Sequence, residues 1–192
     1  MRIELAGATV ALDGEANAVT DAMLEALRVN GGQVVAEAGA ADILLVSCPL
    51  SPGAPPRPPR DTHGRARDVA MAMAGRGGGR IVFVISAVAG MPMRRHAGFS
   101  MDNAAILAGM RALAMEFGPK VLVNAVGLGL VEGVSVVSGD SAMLSHVPVG
   151  RAGTIDEAVA ALLFFSDPLN TYTTGQMLAV DGGWMAGYGR NF

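Results

Sequence analysis

Residues 80–86, RIVFVIS, decide the fold class, because a short and nearly continuous apolar run predicts a strand that is buried on both faces. A second run of this kind, VLVNAVG, lies at 121–127. Helices are predicted next to these strands, at 65–75 and at about 100–117. Strands that alternate with helices in this way indicate a parallel sheet that is covered by helices on both faces.

The rest of the chain extends this alternation in both directions. The helix predicted at 154–167 opens with a capping box formed by Thr154 and Glu157. Residues 49–62 contain six prolines and are predicted to lack regular structure. The remaining predicted elements are strands at 8–12, 33–36, 42–47 and 175–183 and a helix at 16–30.

The interval between the second and third predicted strands is too short for a helix. Parallel neighbours are normally joined by a crossover of about a dozen residues, and here only residues 36–41 are available. Either the strand before this interval is very short, or the chain returns along the sheet without a helix. The chain of 192 residues has the length of a single domain, and we predict one domain over 1–192.

Composition excludes several classes of function. The net charge is -3 and no dense basic cluster occurs, which argues against nucleic-acid binding. Cys48 is the only cysteine, so an internal disulfide is impossible and a reducing cytoplasm is expected. The N-terminus lacks the pattern of a signal peptide, and no apolar run reaches the ~20 residues of a membrane span. The three histidines have no metal-binding spacing, so no metal site is predicted.

Three segments of the chain resemble the short-chain dehydrogenase/reductase family. They are GRIVFVISAVAG at 79–90, AAILAGMRALAMEFGPKVLVNAVGLG at 104–129, and VGRAGTIDEAVAALLFFSDPLNTYTTGQMLAVDGGW at 149–184. The last segment is the most specific, because its VGRAGT start, its TGQ strand start and its DGGW end occur together and in order. The resemblance implies a Rossmann-like, doubly wound parallel sheet. The short interval at 36–41 then implies a sheet truncated on the nucleotide-binding side, without the family's third strand and the helices that flank it.

The resemblance also implies three catalytic positions, and none of them carries the family's residue. The tyrosine falls on Phe99, whose ring has no proton to exchange, and the lysine falls on Asn103, whose amide carries no charge. The serine falls on Ala87. Ser86 is adjacent, but alternate residues of a strand point to opposite faces, so its side chain is predicted to point elsewhere.

The nucleotide site implied by the resemblance is predicted to be lost as well. The family has a Gly-rich turn after its first strand, and here Gly14 is the only glycine of that turn. Asp13 and Glu15 would place negative charge beside phosphates, although acids there also suit the start of a helix. We therefore predict that no cofactor binds. The positions predicted to have lost cofactor contacts are Asp13, Gly14, Ala18, Thr20, Ser47 and Gly133.

Association surfaces are predicted instead. Within the predicted helices at 65–75 and 100–117, the segment 68–75 has one charged residue and the segment 103–117 has two, and helices in these places pair subunits in the family. A helix that is apolar nearly all round is buried on more than one side, which predicts a dimer or tetramer. The C-terminal tail also resembles a family segment that crosses a subunit boundary. The predicted interface residues are Met71, Met110, Met115, Trp184, Tyr188 and Phe192.

These observations lead to one main hypothesis and two alternatives. The main hypothesis is a catalytically inactive subunit without NAD(P), which supports an active relative in a hetero-oligomer or associates with itself. The first alternative is an NAD(P)-dependent oxidoreductase for a small carbonyl or alcohol substrate with relocated catalytic residues, of which Ser86, Ser100 and His96 are the first candidates. The second alternative is a module that binds an acyl-CoA or another small molecule.

Overall fold

A six-stranded, fully parallel sheet runs through residues 2–54, 57–134 and 144–187, which are the residues that a computed structural model of the chain describes. The order of the strands is β2-β1-β3-β4-β5-β6. The strands are β1 (Thr9–Asp13), β2 (Gln33–Val34), β3 (Ile43–Ser47), β4 (Gly79–Ser86), β5 (Val121–Leu128) and β6 (Met177–Val180), and the helices are α1 (Ala18–Val29), α2 (Pro59–Arg76), α3 (Ala97–Phe117) and α4 (Ile155–Ser166).

Two hydrophobic cores lie on opposite faces of this sheet. Helices α2 and α3 cover one face, where Met73 and Met110 are fully buried against the central strands. Helices α1 and α4 cover the other face with Met23, Leu27 and Leu162. Because β3 and β5 are buried along their whole length, their apolar runs are continuous rather than alternating. The predicted doubly wound α/β fold is confirmed.

The connection from β2 to β3 explains how the sheet manages without a helix. Val34 of β2 and Ile43 of β3 both pair with Val10, from opposite sides of β1. Strand β2 therefore ends at the level where β3 begins, so the chain has only to cross β1 and not to travel back along it. A short 3-10 turn at Ala38–Ala40 makes this crossing. The sheet is truncated beyond β2, as predicted.

Two boundaries differ from the prediction. Helix α2 starts at Pro59, so the end of the segment predicted to be irregular is helical. A proline is tolerated at the first helical position because its missing N–H would have no partner there anyway. Helix α3 starts at Ala97, three residues earlier than predicted. None of the helices in the described ranges has the length and apolar character that a membrane crossing requires.

The capping box of α4 is confirmed. The Thr154 hydroxyl accepts a hydrogen bond from the Glu157 N–H at 3.3 Å, and Glu157 Oε2 accepts one from the Thr154 N–H at 2.8 Å. Arg151 donates to the same carboxylate at 2.7 Å. The hydrogen bond from Arg151 and the one from the Thr154 backbone lower the pKa of Glu157 to about 2. These hydrogen bonds fix the chain where it enters α4. The backbone of Gly153 is also hydrogen-bonded to the segment that follows β5.

Candidate active site

A crevice lies at the carboxyl edge of the sheet, which is where parallel α/β sheets bind their ligands. Its deepest part is a cavity of about 50 Å³ between the ends of β4, β5 and β6. Ser86, Phe99, Leu128 and Asp181 are among its lining residues. Most of the residues that line the cavity are apolar. A polar group of a ligand that enters the cavity therefore finds few protein groups with which to form hydrogen bonds.

Ser86 lines this cavity together with Ala87. The prediction that Ser86 points away from Ala87's side of the sheet was wrong. Strand β4 ends at Ser86 and a 3-10 turn follows at Ala87–Ala89, so the alternation of a strand no longer applies there. The Ser86 hydroxyl oxygen accepts a hydrogen bond from the Val88 N–H at 3.4 Å. Its proton is left to be donated, because within the described residues no acceptor for it is found.

Phe99 and Asn103 lie one helical turn apart near the start of α3, and they differ in what they contact. Phe99 lines the deep cavity. Asn103 is buried, accepts a hydrogen bond from the Ser86 N–H at 3.1 Å and donates one to the Phe99 carbonyl at 3.0 Å. Its amide therefore links the end of β4 to the first turn of α3. A neutral group that both donates and accepts suits this position, and an ammonium group could only donate.

Two of the three relocated candidates lie outside the cavity. The Ser100 hydroxyl donates to the His96 carbonyl and accepts from the Met93 N–H, each at 3.0 Å, so it closes the turn before α3. His96 is exposed at the N-cap of α3. Neither residue is among those that line the cavity. Of the predicted candidates, only Ser86 is placed where it can touch a substrate there.

Asp181 is a site residue that the sequence reasoning missed. It follows β6, lines the cavity, and accepts hydrogen bonds from the N–H groups of Gly183 and Met185, each at 2.9 Å. Gly129 packs against it so closely that a Cβ at Gly129 would lie 2.7 Å from Asp181 Cα. The available signal was its position, because Asp181 directly follows a strand at the edge where the crevice lies.

A second part of the crevice lies above β1 and β3. It is lined by Glu15, Asn17, Ser47, Ser51 and Arg57, together with apolar residues, and it joins the deep cavity at Leu50 and Ser51. Cys48 also faces this part, but its thiol is buried, and this burial raises its pKa to about 12. A thiol that stays protonated at neutral pH is a poor nucleophile.

Asp13 does not present its charge to this crevice. Its buried carboxylate is held by Arg57 Nη1 on Oδ2 and by Arg65 Nη2 on Oδ1, each at 2.5 Å. The hydrogen bond to Asp13 also raises the pKa of the Arg65 guanidinium. The expectation that Asp13 would repel phosphates was therefore wrong. No sequence pattern indicates these partners, which come from the loop after β3 and from α2.

The start of α1 is closed by the protein's own side chains. Asn17 Oδ1 accepts hydrogen bonds from the N–H groups of Val19 and Thr20, at 3.0 and 3.1 Å, and the Thr20 hydroxyl accepts one from the Asn17 N–H. Gly14 has a φ of 116°, and a Cβ there would lie 2.4 Å from the Ser47 carbonyl oxygen. The absence of a side chain at Gly14 thus allows the β1–α1 turn to approach β3 closely.

The remaining predicted positions are less informative about the site. Ala18 is the exposed first residue of α1, and Ser47 accepts a hydrogen bond from Asn17 Nδ2 at 3.4 Å. Gly133 has a φ of 75° and is exposed, with open space around its Cα. In the described part of the chain, no group of three or more His, Cys, Asp or Glu residues could hold a metal ion.

The predicted interface residues fall into four groups. Met71 and Met115 are 51% and 86% exposed on the outer face of α2 and α3. Met110 is fully buried in the protein's own core and is not available to a partner. Trp184 is half-buried and lines the deep cavity. Tyr188 and Phe192 lie outside the described residues.

Comparisons with known proteins identify the family. A family model described as Enoyl-(Acyl carrier protein) reductase matches residues 62–185. The peroxisomal 2,4-dienoyl-CoA reductase of Mus musculus is 35% identical over 119 residues, which cover 56% of this chain and 40% of that protein. L-rhamnose 1-dehydrogenase (NAD(P)(+)) of Azotobacter vinelandii is 35% identical over 117 residues, which cover 57% and 45%. The matches thus span about half the length of these curated relatives. The chain belongs to the short-chain dehydrogenase/reductase family.

Solved structures share the fold over almost the whole chain. A gluconate 5-dehydrogenase from Burkholderia cenocepacia J2315, in complex with NADP and tartrate, superposes with a TM-score of 0.76, 17% identity and coverage of 97% of this chain and 98% of that one. The apo structure of a short-chain oxidoreductase from Pseudomonas aeruginosa PAO1, which contains an atypical catalytic center, superposes with a TM-score of 0.70, 22% identity and coverage of 94% and 98%.

These relatives correct two predictions. The named relatives are reductases and dehydrogenases, and NADP or NAD(P) is part of two of their descriptions. The hypothesis of a catalytically inactive subunit was therefore wrong, and so was the prediction that no cofactor is used. Both predictions rested on the absence of the family's tyrosine, lysine and glycine residues from this chain.

The crevice of this chain fits a nicotinamide dinucleotide by the chemistry of its donors. The guanidinium of Arg57, the amide of Asn17 and the hydroxyls of Ser47 and Ser51 line the part above β1 and β3. These are the group types that bind phosphate and ribose oxygens. The adjoining deep cavity has the apolar wall that a substrate and a nicotinamide ring require.

Proposed function

We propose that the protein is an NAD(P)-dependent oxidoreductase that acts on a small carbonyl or alcohol substrate and that uses relocated catalytic residues. The observation that carries this proposal is the cavity of about 50 Å³ that Ser86 and Asp181 share at the carboxyl edge of the sheet. The matching family model and the NAD(P)-dependent relatives support the same reaction class. The relative with an atypical catalytic center supports the idea that the fold accommodates a different set of residues.

Ser86 has the position and the free donor that hold a carbonyl oxygen. Ser86 directly precedes the 3-10 turn. Its backbone is fixed because its N–H donates a hydrogen bond to Asn103. A hydroxyl in this place donates a hydrogen bond to the oxygen that gains negative charge as the carbonyl is reduced. Fixing the backbone keeps the donor in place before the substrate arrives.

Asp181 supplies the ionisable group of the cavity. Reduction of a carbonyl needs a proton, and oxidation of an alcohol releases one, so the site requires a group that can exchange a proton. Phe99 and Asn103 cannot do so, and we propose the carboxyl group of Asp181 for this role. Its two backbone hydrogen bonds fix its orientation. The dinucleotide, when it is bound, supplies or accepts the hydride.

The cavity also limits the substrate. A volume of about 50 Å³ admits the reacting end of a small molecule, with the rest of the ligand in the wider crevice. Leu50, Val88 and Met93 form part of an apolar wall, which excludes water from the reacting atoms. We therefore propose short aliphatic aldehydes, ketones and the corresponding alcohols as the substrates to be tested first.

The test is oxidation of NADPH or NADH in the presence of such a carbonyl panel. We expect Ser86→Ala and Asp181→Asn each to lower kcat/KM by roughly 100-fold or more, the range in which a lost acid–base or oxyanion contact falls. Ser166→Ala is the matched control, because Ser166 is buried at the end of α4 and its hydroxyl has no partner among the described residues. Thermal melting of each variant separates loss of activity from loss of fold.

Two results would contradict this proposal. The first is full activity in both variants, which would remove these residues from the chemistry. The second is the absence of any turnover with either cofactor across the carbonyl and alcohol panels, which would remove the proposed reaction class.

We also propose that the outer face of α2 and α3 forms a subunit interface. Met71 and Met115 are large apolar side chains that are exposed on this face, and exposed apolar patches mark surfaces that bind other proteins. The ion pair between Arg67 and Glu116, with 2.5 Å between Nη2 and Oε1, lies next to them on the same face. A second copy of this chain is the partner we propose.

A further inference from the structure

We propose that Arg57 binds a phosphate group of the ligand in the crevice and that Asp13 and Arg65 hold it in position for this purpose. The cation would take the place of the bare backbone of a Gly-rich turn. The part of the proposal that assigns the phosphate to a dinucleotide rests on the proposed function. The anion site itself does not, because it is argued from the geometry and charge of this chain alone.

Arg57 is anchored, although it comes from a loop. Its guanidinium donates through Nη1 to Asp13 Oδ2 at 2.5 Å, and Asp13 is only 4% exposed at the end of β1. The side chain of Arg57 itself is 29% exposed and lines two adjoining parts of the crevice. An arginine has five N–H donors, so one bond to Asp13 leaves others for a second anion.

The charge balance at this cluster favours an anion. A lone Asp13–Arg57 pair would be neutral, but Arg65 donates to the other carboxylate oxygen through Nε at 2.9 Å and Nη2 at 2.5 Å. Two guanidinium groups against the Asp13 carboxylate leave one positive charge in excess within this ion-paired cluster. Asp102 lines the crevice on the α3 side of Arg57, and Asp68 lies on the α2 side with Arg65. Because Arg65 satisfies Asp13 from the side of α2, Arg57 is the guanidinium that remains available on the crevice side. Fixed charge-assisted donors of this kind bind phosphate strongly.

The α1 N-terminus cannot perform this task alone. In many nucleotide sites the first N–H groups of this helix bind the phosphate directly. Here Asn17 Oδ1 already accepts from Val19 N and Thr20 N, so these donors are used within the protein. The Asn17 amide instead points one donor to Ser47 Oγ across 3.4 Å, a long hydrogen bond that a phosphate oxygen could replace. Arg57 supplies a positive charge to the phosphate in place of these helix N–H groups.

Glu15 is the opposing group in this part of the crevice. It lines the same cleft and is exposed to solvent. Water and salt screen an exposed carboxylate, so it weakens an anion at Arg57 without abolishing its binding. This predicts that Glu15→Gln binds phosphate ligands more tightly than the wild-type protein does.

The experiment is isothermal titration calorimetry of the purified chain with four probes, which are inorganic pyrophosphate, NADP⁺, NAD⁺ and coenzyme A. The variants are Arg57→Gln, Arg57→Lys and Glu15→Gln. Arg28→Gln is the matched control, because it removes the same group from the exposed Arg28–Glu25 pair on α1. We expect the Kd of at least one probe to rise by 10-fold or more in Arg57→Gln, to be partly restored in Arg57→Lys, to fall in Glu15→Gln and to stay unchanged in the control.

The pattern across probes identifies the source of the phosphate. Equal weakening of NAD⁺ and NADP⁺ assigns Arg57 to the diphosphate, weakening of NADP⁺ alone assigns it to the additional phosphate, and weakening of coenzyme A alone assigns it to a substrate. Unchanged affinity in Arg57→Gln for every probe that binds, or no binding of any probe to the wild-type protein, overturns the proposal. If binding depends on Arg57 but no carbonyl is reduced, the anion site stands and the proposed function fails.

Discussion

At the scale of single residues, Asn103 shows how a position loses one role and gains another. The amide joins the end of β4 to the first turn of α3 through one accepted hydrogen bond, which is buried, and one donated hydrogen bond, which is partly buried. An ammonium group would leave the Ser86 N–H without an acceptor and would carry an unpaired charge into a buried place. Asn103 thus has a structural role where the family has a catalytic residue. It fixes Ser86, which we propose as the oxyanion donor.

We predict that Asn103→Ala lowers the free energy of unfolding by about 1–3 kcal/mol, since the buried Ser86 N–H then has no partner. The measurement is the midpoint of urea unfolding, with the slope checked for a change in the unfolded state. Asn170→Ala is the control, because it removes a solvent-exposed hydrogen bond to the Phe164 carbonyl, and we expect a loss of only about 0.5 kcal/mol there. Equal losses in the two variants would refute the linking role.

At the scale of elements, the start of α4 contains a carboxyl group, that of Glu157, which makes the stability of the protein depend on pH. The pKa of Glu157 is lowered from 4.5 to about 2 in the folded protein, first by Arg151 and then by the Thr154 backbone. A group whose pKa is depressed by folding stabilises the protein above its unfolded pKa, and this contribution disappears as the pH falls through the folded value. The relevant window therefore runs from about pH 4.5 down to about pH 2.

We predict that Glu157→Gln loses less stability than the wild-type protein between pH 5 and pH 2, because the variant has no carboxyl group to protonate at this corner. The measurement is the melting temperature at several pH values in that interval. Ser166→Ala, which removes no titratable group from the same helix, is the control and should keep the acid dependence of the wild-type protein. A Glu157→Gln profile that is parallel to the wild-type profile would contradict the prediction.

The elements also show what the sequence could predict. The strands at the centre of the sheet and the capped helix α4 were found because each carries its own local signal, either an unbroken apolar run or Thr154 with Glu157. The start of α2 was missed because a proline at a first helical position looks the same as a proline in a loop. The cavity-facing side of Ser86 was missed because alternation holds only as long as the strand continues.

The site was harder to predict than the fold, for a reason that Asp13 illustrates. Its negative charge is visible in the sequence, but the two guanidinium groups that compensate it come from positions 44 and 52 residues away. No local pattern connects such residues. The same limit applies to Asp181, which reaches the cavity only because β6 lies beside β5 in the folded sheet.

At the scale of the whole molecule, shortening on one side leaves the other side of the fold intact. Among the described residues no strand pairs with β2 on its outer side, yet both cores are continuous from β1 to β5. The crevice remains because it is built from the carboxyl ends of β1, β3, β4 and β5, which the truncation does not reach. From the segment after β3, Leu50, Ser51 and Arg57 line this crevice.

We predict that Met115→Glu separates the proposed oligomer, because a charge on the outer face of α3 would be buried without a partner at a subunit interface. Native mass spectrometry of the variant should show a smaller species than the wild-type protein. Leu169→Glu is the control, since this equally exposed residue follows α4 and lies away from the α2–α3 face. A wild-type protein that is monomeric at micromolar concentration would rule out the interface.

The two-residue strand β2 has a consequence for solubility. As one of the two edge strands of the sheet in the described residues, it presents backbone N–H and C=O groups to any extended segment that approaches. A visiting strand would find only Gln33 and Val34 to pair with, too few for a stable ladder. The short edge strand β2 therefore protects this edge of the truncated sheet from pairing with another sheet, which a long exposed edge strand would favour.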